Sequence, residues 1–493
     1  MIYTSTRDNN IKISASEAII KGISPDGGLF VPIEFPDLSG NLKEISGMNY
    51  KETALFIFKK FIPEFTEDEL KKCIESAYDS KFDCDDAVQM KYTDDAAYLE
   101  LFHGPTLAFK DMALTVMPHL MQASKKKTDF KGEISILTAT SGDTGKAALE
   151  GFKNIDGIKI SVFFPEDGVS PIQKRQMRTQ EGANTFVSGI RGNFDDAQSG
   201  VKNAFADVEF NKILNDKGIF LSSANSINLG RLLPQIVYYF YAYSQMLKEG
   251  KIKENDKINF VVPTGNFGDI LAGYYAEKMG LPVNKLICAS NENNVLYDFF
   301  CTGTYDKNRD LILTESPSMD ILISSNLERL LFDISDGNGP VVKSLLEELS
   351  KYGKYTISDD MKKRLAPFDA YFASENEVNE SIKNVFEKEN YVIDTHTAVA
   401  YNCLMKYKEK TADTTPSVVV STASPYKFAG SVLEALGYER NTDEFEDIAK
   451  LSEISSVPVP KPIEKLKTAE IRHKSVCEKD EINKSVAEFL GIK

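Results

Sequence analysis

The sequence predicts an α/β protein built on parallel sheets, and three strand–loop–helix units carry that expectation. Ile134-Ser135-Ile136-Leu137-Thr138 runs into Ser141-Gly142-Asp143-Thr144-Gly145, and Ile258-Asn259-Phe260-Val261-Val262 runs into Gly265-Asn266-Phe267-Gly268-Asp269. Val418-Val419-Val420 runs into Ser421-Thr422-Ala423-Ser424-Pro425. Each apolar run is short and nearly continuous, as in strands buried on both faces, and helical spacing follows each loop. That alternation implies crossover helices and parallel pairing. Ile160 to Phe164 reads as a fourth strand.

Taken in order, residues 1 to about 90 read as a mostly helical N-terminal region. Ser14-x-x-Glu17 and Thr66-x-x-Glu69 are capping boxes before amphipathic runs, and Ser24-Pro25-Asp26-Gly27-Gly28 between them spells a turn. Residues 91–440 read as a core of two sheet-containing lobes. Within it Leu229, Leu232, Leu233, Ile236, Val237 and Phe240 keep helical spacing and predict a long helix that packs through those six side chains. Residues 341–390, rich in Lys and Glu, read as a peripheral helical insertion. Residues 441–493, with the Val457-Pro458-Val459-Pro460-Lys461-Pro462 stretch, read as a C-terminal tail. The 493 residues, 42% of them hydrophobic, suffice for a large core, at about 100–200 residues per domain.

Composition removes several function classes. Lys plus Arg number 58 against 73 Asp plus Glu, a net charge of −15, which disfavours nucleic acid and anionic membranes as partners. No stretch approaches the roughly 18 apolar residues of a membrane span. The six cysteines form no C-x-x-C pair, and with four histidines no zinc-ligand spacing appears, so the cysteines are expected as buried reduced thiols and no metal is expected. The N-terminus has no basic segment followed by an apolar one, and a cytoplasmic protein is the expectation.

In open parallel sheets ligands bind beyond the carboxyl ends of strands, where loop amides and helix N-termini offer donors to anions. The loop Gly265 to Asp269 has two glycines and no Lys or Arg, which suits a monoester phosphate held by neutral amides. Gly-Asp-Thr-Gly-Lys at 142–146 mimics the end of a nucleotide-binding P-loop, but Thr140 stands where its first glycine belongs and Ala147 where its hydroxyl belongs. The hydroxyls of Ser141 and Thr144 beside loop amides suit a small carboxylate instead. Lys110 follows Leu107-Ala108-Phe109, so desolvation can lower its pKa and free an amine for attack on a carbonyl. A desolvated lysine together with an amide-lined phosphate loop is what covalent binding of pyridoxal phosphate needs. His103 and His396 are further acid–base candidates, though a histidine beside Gly or Thr is more often a hydrogen-bonded structural residue.

Five motifs in order, Ser24-Pro25-Asp26-Gly27-Gly28-Leu29-Phe30-Val31-Pro32, Phe102 to Asp111, Ala139 to Gly145, Gly265 to Asp269 and Ser421 to Pro425, span nearly the whole chain. Together they resemble the long-chain threonine synthases of bacteria and fungi. The resemblance implies a fold-type II pyridoxal-phosphate enzyme, tryptophan synthase β-like, a carbon–oxygen lyase that converts O-phospho-L-homoserine and water into L-threonine and phosphate. It implies that Lys110 binds the cofactor covalently and moves the protons, that Gly265, Asn266, Phe267, Gly268 and Asp269 surround the cofactor phosphate, and that Thr422 meets the pyridine nitrogen. It places Asp143 near the cofactor's 3′-oxygen, and Ser141 and Thr144 on the substrate carboxylate. For the substrate phosphate Asn225, Ser226, Asn228 and Arg231, at the start of the long helix, are the candidates, with Lys146. Ser424 departs from the family, which commonly has His there. A monomer is implied as well. Two alternatives stand beside this: a serine or threonine dehydratase of the same fold, against which the Pro-Asp-Gly-Gly segment argues, and a non-catalytic phosphate- or cofactor-binding protein, against which Lys110 argues.

Overall fold

The computed structural model describes residues 1–167 and 169–492. The strands are β1 (Tyr3–Ser5), β2 (Phe30–Pro32), β3 (Gln89–Tyr92), β4 (Ala97–Glu100), β5 (Glu133–Ala139), β6 (Ile158–Pro165), β7 (Thr185–Ile190), β8 (Ile219–Ser222), β9 (Ile258–Pro263), β10 (Val283–Ser290), β11 (Thr304–Asp306), β12 (Lys354–Thr356), β13 (Phe368–Phe372), β14 (Ser417–Ser421) and β15 (Ser475–Cys477). A six-stranded sheet runs in the order β13-β10-β9-β14-β4-β3 and a five-stranded sheet in the order β15-β7-β6-β5-β8. Pairing within these two sheets is parallel throughout except at the β3 edge, where Met90 opposes Leu99. The apolar runs read from sequence are β5, β6, β9 and β14. Every residue of β9 and β14 is buried, because helices cover both faces.

The helix Leu229–Lys248 carries the six expected side chains at 0–1% exposure. Its packing is wider than their spacing implies, for Tyr238, Tyr239, Tyr241, Ala242 and Tyr243 on the remaining faces are buried too. The N-terminal region is the reason: helix Tyr50–Phe61 and helix Leu42–Ser46 lie against one side and helix Gly268–Lys278 against another. Both expected capping boxes form, with the Glu17 amide donating to Ser14 Oγ at 3.2 Å and the Glu69 amide to Thr66 Oγ1 at 3.3 Å.

Two regions differ from expectation. Within 341–390, β13 is the edge strand of the larger sheet, paired to β10, so the segment is part of the core rather than a peripheral helical insertion. Residues 441–492 are not a loose tail. β15 extends the smaller sheet alongside β7, and helix Ile482–Leu490 buries Ile482, Val486 and Leu490 against that sheet. A three-residue strand is too short to show a period of two, so β15 leaves no pattern in the sequence. The cysteines are unpaired as expected, yet Cys84 is half-buried and Cys301 exposed rather than buried. No helix of the described residues is long and apolar enough to cross a membrane.

Candidate active site

A cavity of about 690 Å³ opens at the carboxyl ends of β4, β5, β8, β9 and β14. The segment after β4 folds back on the segment after β14: the Phe109 amide donates to the Thr422 carbonyl at 2.8 Å and the Ser424 amide to the Leu107 carbonyl at 3.1 Å. These bonds fix Lys110 and Thr422 as neighbours on one wall. Lys110 is 9% exposed, and its Nζ lies 3.6 Å from Asp143 Oδ2, 3.3 Å from Ser318 Oγ and 5.0 Å from the centre of the Phe109 ring. Burial pushes its pKa down, with Lys427 and Arg231 adding to the fall and Asp143 opposing it. A lysine held in this way reaches its nucleophilic, neutral form more easily.

Asp143 opens the helix Asp143–Phe152 and sits in the centre of the polar network. Lys427 Nζ meets Oδ1 at 2.5 Å and Gln173 Nε2 donates to the same oxygen at 2.9 Å. Burial alone would raise the Asp143 carboxyl, but the Lys427 and Lys110 ammonium groups outweigh it and hold the group well below the usual carboxylate range.

The loop after β9 has the form of an anion cradle. Between the Thr264 amide, which donates to Ala289, and the Leu271 amide, which donates to Phe267, no loop amide finds an acceptor among the described residues. Phe267 is left-handed, φ 61°, and caps the helix Gly268–Lys278, so free amides and the positive end of the helix face the same cavity. The Gly265 carbonyl accepts from Ser324 Oγ at 2.7 Å, and the Asn266 carbonyl accepts from the Asn326 amide at 3.0 Å, which stiffens the cradle from behind. Under it Tyr238 and Tyr239 both donate to Asp269 Oδ1, at 2.6 and 2.7 Å, while Oδ2 is buried without a partner among the described residues. Burial raises the Asp269 carboxyl to about 6 against these two hydroxyls.

On the opposite wall Ser141 and Thr144 follow β5, and Asn225, Ser226 and Arg231 follow β8, all lining the same cavity. Arg231 is 2% exposed, donates to the Ala224 carbonyl at 2.9 Å and leaves Nε without a partner among the described residues. Burial lowers its pKa to about 10. Ser24, Pro25 and Gly27 of the N-terminal turn complete the rim.

The donor set fits pyridoxal phosphate: the buried Lys110, a cradle of free amides suited to a phosphate, and the neutral Thr422 hydroxyl all line the one cavity. The pyridoxal-phosphate-dependent enzyme family matches residues 97–423, preceded by the threonine synthase N terminus over residues 2–78 and overlapped by the threonine synthase C-terminal family over residues 397–483. The chain belongs to the threonine synthase family. It is 38% identical to threonine synthase of Schizosaccharomyces pombe over 466 residues, 88% of this chain and 89% of that one. It is 40% identical to human threonine synthase-like 1, and spans 60% of the length of that protein. Among solved structures it is similar to yeast threonine synthase, TM-score 0.88 at 34% identity, and to PLP-bound threonine synthase from Brucella melitensis, TM-score 0.85 at 35%, each with 99% of both chains covered.

Two residues expected in a threonine synthase site stand apart from the cavity. Lys146 turns away to Glu150, the i, i+4 carboxylate on its own helix, at 3.0 Å and to the Gln180 side-chain oxygen at 2.6 Å. Asn228 is fully buried as the N-cap of helix Leu229–Lys248, accepting from the Gly230 amide and donating to the Ile19 and Ser223 carbonyls. His103 also lies elsewhere, its ring bonded to Asp83 at 2.6 Å and Glu100 at 2.9 Å. Ligand atoms of Asp83, Cys84 and His103 fall within 4.8 Å of one another, but Asp83 and Glu100 already occupy both ring nitrogens. The Ser424 hydroxyl accepts from the Tyr426 amide and caps the one-turn helix Pro425–Phe428. Sequence reasoning missed Ser318, Lys427 and Gln173. Lys427 sits two residues beyond Pro425 and is 2% exposed, the one signal being a lysine inside an apolar Tyr-Lys-Phe run.

Proposed function

We propose that the protein converts O-phospho-L-homoserine and water into L-threonine and phosphate with pyridoxal phosphate bound to Lys110. One observation carries this: a buried lysine of lowered pKa shares a cavity with a loop whose amides have no acceptor among the described residues, and a second hydroxyl-lined loop faces both. When bound, pyridoxal phosphate supplies an electron sink for the substrate's α-carbon electrons. Gly265, Asn266, Phe267, Gly268 and Asp269 hold the cofactor phosphate through neutral amides, and Thr422 offers the ring nitrogen a hydroxyl. Asp143 would stand beside the 3′-oxygen. Ser141 and Thr144 bind the substrate carboxylate, while Asn225, Ser226 and the Arg231 guanidinium bind its phosphate. Lys110 takes and returns protons at the substrate carbons, its depressed pKa suiting it to work as a neutral base. A monomer in the cytoplasm, with a small phosphorylated amino acid as its one partner class, completes the proposal.

The test incubates the holoenzyme with O-phospho-L-homoserine and measures L-threonine and inorganic phosphate, expected in equal amounts. Formation of 2-oxobutanoate from threonine, with no phosphate released from phosphohomoserine, would assign the dehydratase reaction instead.

A further inference from the structure

The segment between β11 and helix Leu327–Ile334 packs against the loop Gly265 to Asp269, and its one-turn helix Pro317–Met319 brings Ser318 to Lys110. Ser318 Oγ accepts from Lys110 Nζ at 3.3 Å and lies 3.5 Å from Asp143 Oδ2. The backbone of Ser318 is fixed from two sides. Its carbonyl lies so near Gly265 that a Cβ there would stand 2.6 Å away. Its amide donates to Nε2 of His396 at 3.2 Å.

That last bond decides the tautomer. With Nε2 accepting from that amide, the ring N–H is at Nδ1, which donates to Asp394 Oδ2 at 2.8 Å. Asp394 is 0% exposed and anchored as the N-cap of helix Thr395–Thr411, taking the amides of His396 and Thr397 at 3.0 Å each. The ring is further held against Phe428, centroids 4.9 Å apart. An aspartate and a histidine thus hold the backbone of the serine whose hydroxyl meets the amine of Lys110.

We propose that Ser318 is the seat of the Lys110 amine whenever that amine is free, and that the Asp394–His396 pair positions Ser318 for it. This rests on Lys110 being the cofactor lysine. A lysine side chain has four rotatable bonds, and an acceptor for one N–H removes most of that freedom and leaves the nitrogen lone pair two directions. In the loading reaction the neutral amine forms a bond to the cofactor's aldehyde carbon, and both amine protons leave with the aldehyde oxygen as water. Ser318 is not consumed; it holds the amine before attack and receives it again each time substrate displaces it. His396 is a positioning residue that acts through Ser318.

The full chain, freed of cofactor, is mixed with pyridoxal phosphate, and formation of the carbon–nitrogen double bond is followed by absorbance. Binding of pyridoxine phosphate, which has the phosphate but no aldehyde, is measured separately. Ser318→Ala is expected to slow bond formation about tenfold, the loss of one hydrogen bond, with pyridoxine phosphate affinity within about twofold of the parent. His396→Leu is expected to slow it comparably, and His396→Gln, which keeps an acceptor for the Ser318 amide, to recover most of the rate. Adding His396→Leu to Ser318→Ala should slow bond formation no further. The proposal is overturned if Ser318→Ala loads at the parental rate, if both phosphate affinity and rate fall together, or if the two changes multiply. Should His396→Leu not fold, Ser318→Ala and His396→Gln alone decide it by the same criteria. Borohydride mapping of the parent that places the cofactor on another lysine overturns the assignment of Lys110 itself, a result separable from any difference between variants.

Discussion

At the residue scale, Asp143 is a buried anion between two buried cations, and the effect of a substitution there depends on which partner it removes. Lys427 Nζ touches it at 2.5 Å and Lys110 Nζ lies at 3.6 Å. Lys427→Met removes a cation that depresses Lys110 and frees Asp143 to stabilise the Lys110 ammonium, so both changes raise the Lys110 pKa. The acid limb of the pH–rate profile should therefore move to higher pH, by about a unit or more. Chemical unfolding of the same variant should report a loss of about 3–5 kcal/mol, the usual result of breaking a buried pair from one side, with partial recovery on adding Asp143→Asn. His103 gives a second pH test. Burial would lower its pKa, but Asp83 and Glu100 overcome this and raise it to about 9. A raised pKa stabilises the fold through the protonated form, fully below the ordinary value of 6.5 and no longer above about 9. The melting temperature of wild type should exceed that of His103→Gln at pH 6, by an amount corresponding to about 1–2 kcal/mol given that Asp83 is largely solvated, and the gap should close by about pH 10. Lys110 was legible in sequence because its apolar approach is local, Leu107-Ala108-Phe109. Ser318 and Lys427 were not, for each owes its place to partners between 175 and 321 positions away: Asp143 and Lys110 for Ser318, Asp143 and Thr106 for Lys427.

At the element scale the strand–loop–helix units were legible because β5, β9 and β14 are nearly continuous apolar runs leading into small polar residues, a pattern whose physical cause is burial under helices on both faces. β13 and β15 were not, because β13, five residues with Asp369 half-buried, and β15, three residues long, lie at sheet edges where one side needs no apolar cover. Within the phosphate cradle the sequence treats Gly265 and Gly268 alike, and the structure separates them. A Cβ on Gly265 would stand 2.6 Å from the Ser318 carbonyl, whereas on Gly268 its nearest neighbour is the Asn326 side-chain nitrogen Nδ2 at 3.5 Å, ordinary contact. Gly265→Ala must therefore displace the Pro317–Met319 turn, and with it the seat of Lys110. It is expected to slow cofactor loading at least tenfold and to lower apoprotein stability by about 1–3 kcal/mol. Gly268→Ala, at a helix N-terminus with negative φ, should leave stability within about 0.5 kcal/mol. Thermal melts of the two apoproteins measured side by side check the difference; equal losses would mean that the Ser318 carbonyl does not constrain the loop.

At the scale of the whole molecule, the two sheets divide the labour. Lys110 after β4, the cradle after β9 and Thr422 after β14 belong to the six-stranded sheet, whereas Ser141 and Thr144 after β5 and Asn225, Ser226 and Arg231 after β8 belong to the five-stranded one. Asp143 is the exception among the residues proposed to meet the cofactor, and Lys427, from the segment after β14, ties it across to the larger sheet. The cofactor should therefore order one wall of the cavity and the substrate should draw in the other. A ligand at about 100 times its Kd stabilises the folded state by about 2.7 kcal/mol, and amides whose opening is suppressed by binding exchange correspondingly more slowly. Hydrogen exchange of the apoprotein with pyridoxal phosphate added should show protection over 107–112, 264–271 and 422–424, with little change over 223–230. Adding inorganic phosphate or a non-reacting phosphonate analogue of the substrate to the holoenzyme should then protect 141–146 and 223–230. If the cofactor alone protects both sets equally, the walls respond as one rigid unit and the division by sheets has no energetic meaning. If the second set responds only to the phosphonate, the substrate closes the cavity by joining the two sheets, and the Lys427–Asp143 pair is a bridge between them already in place before it binds.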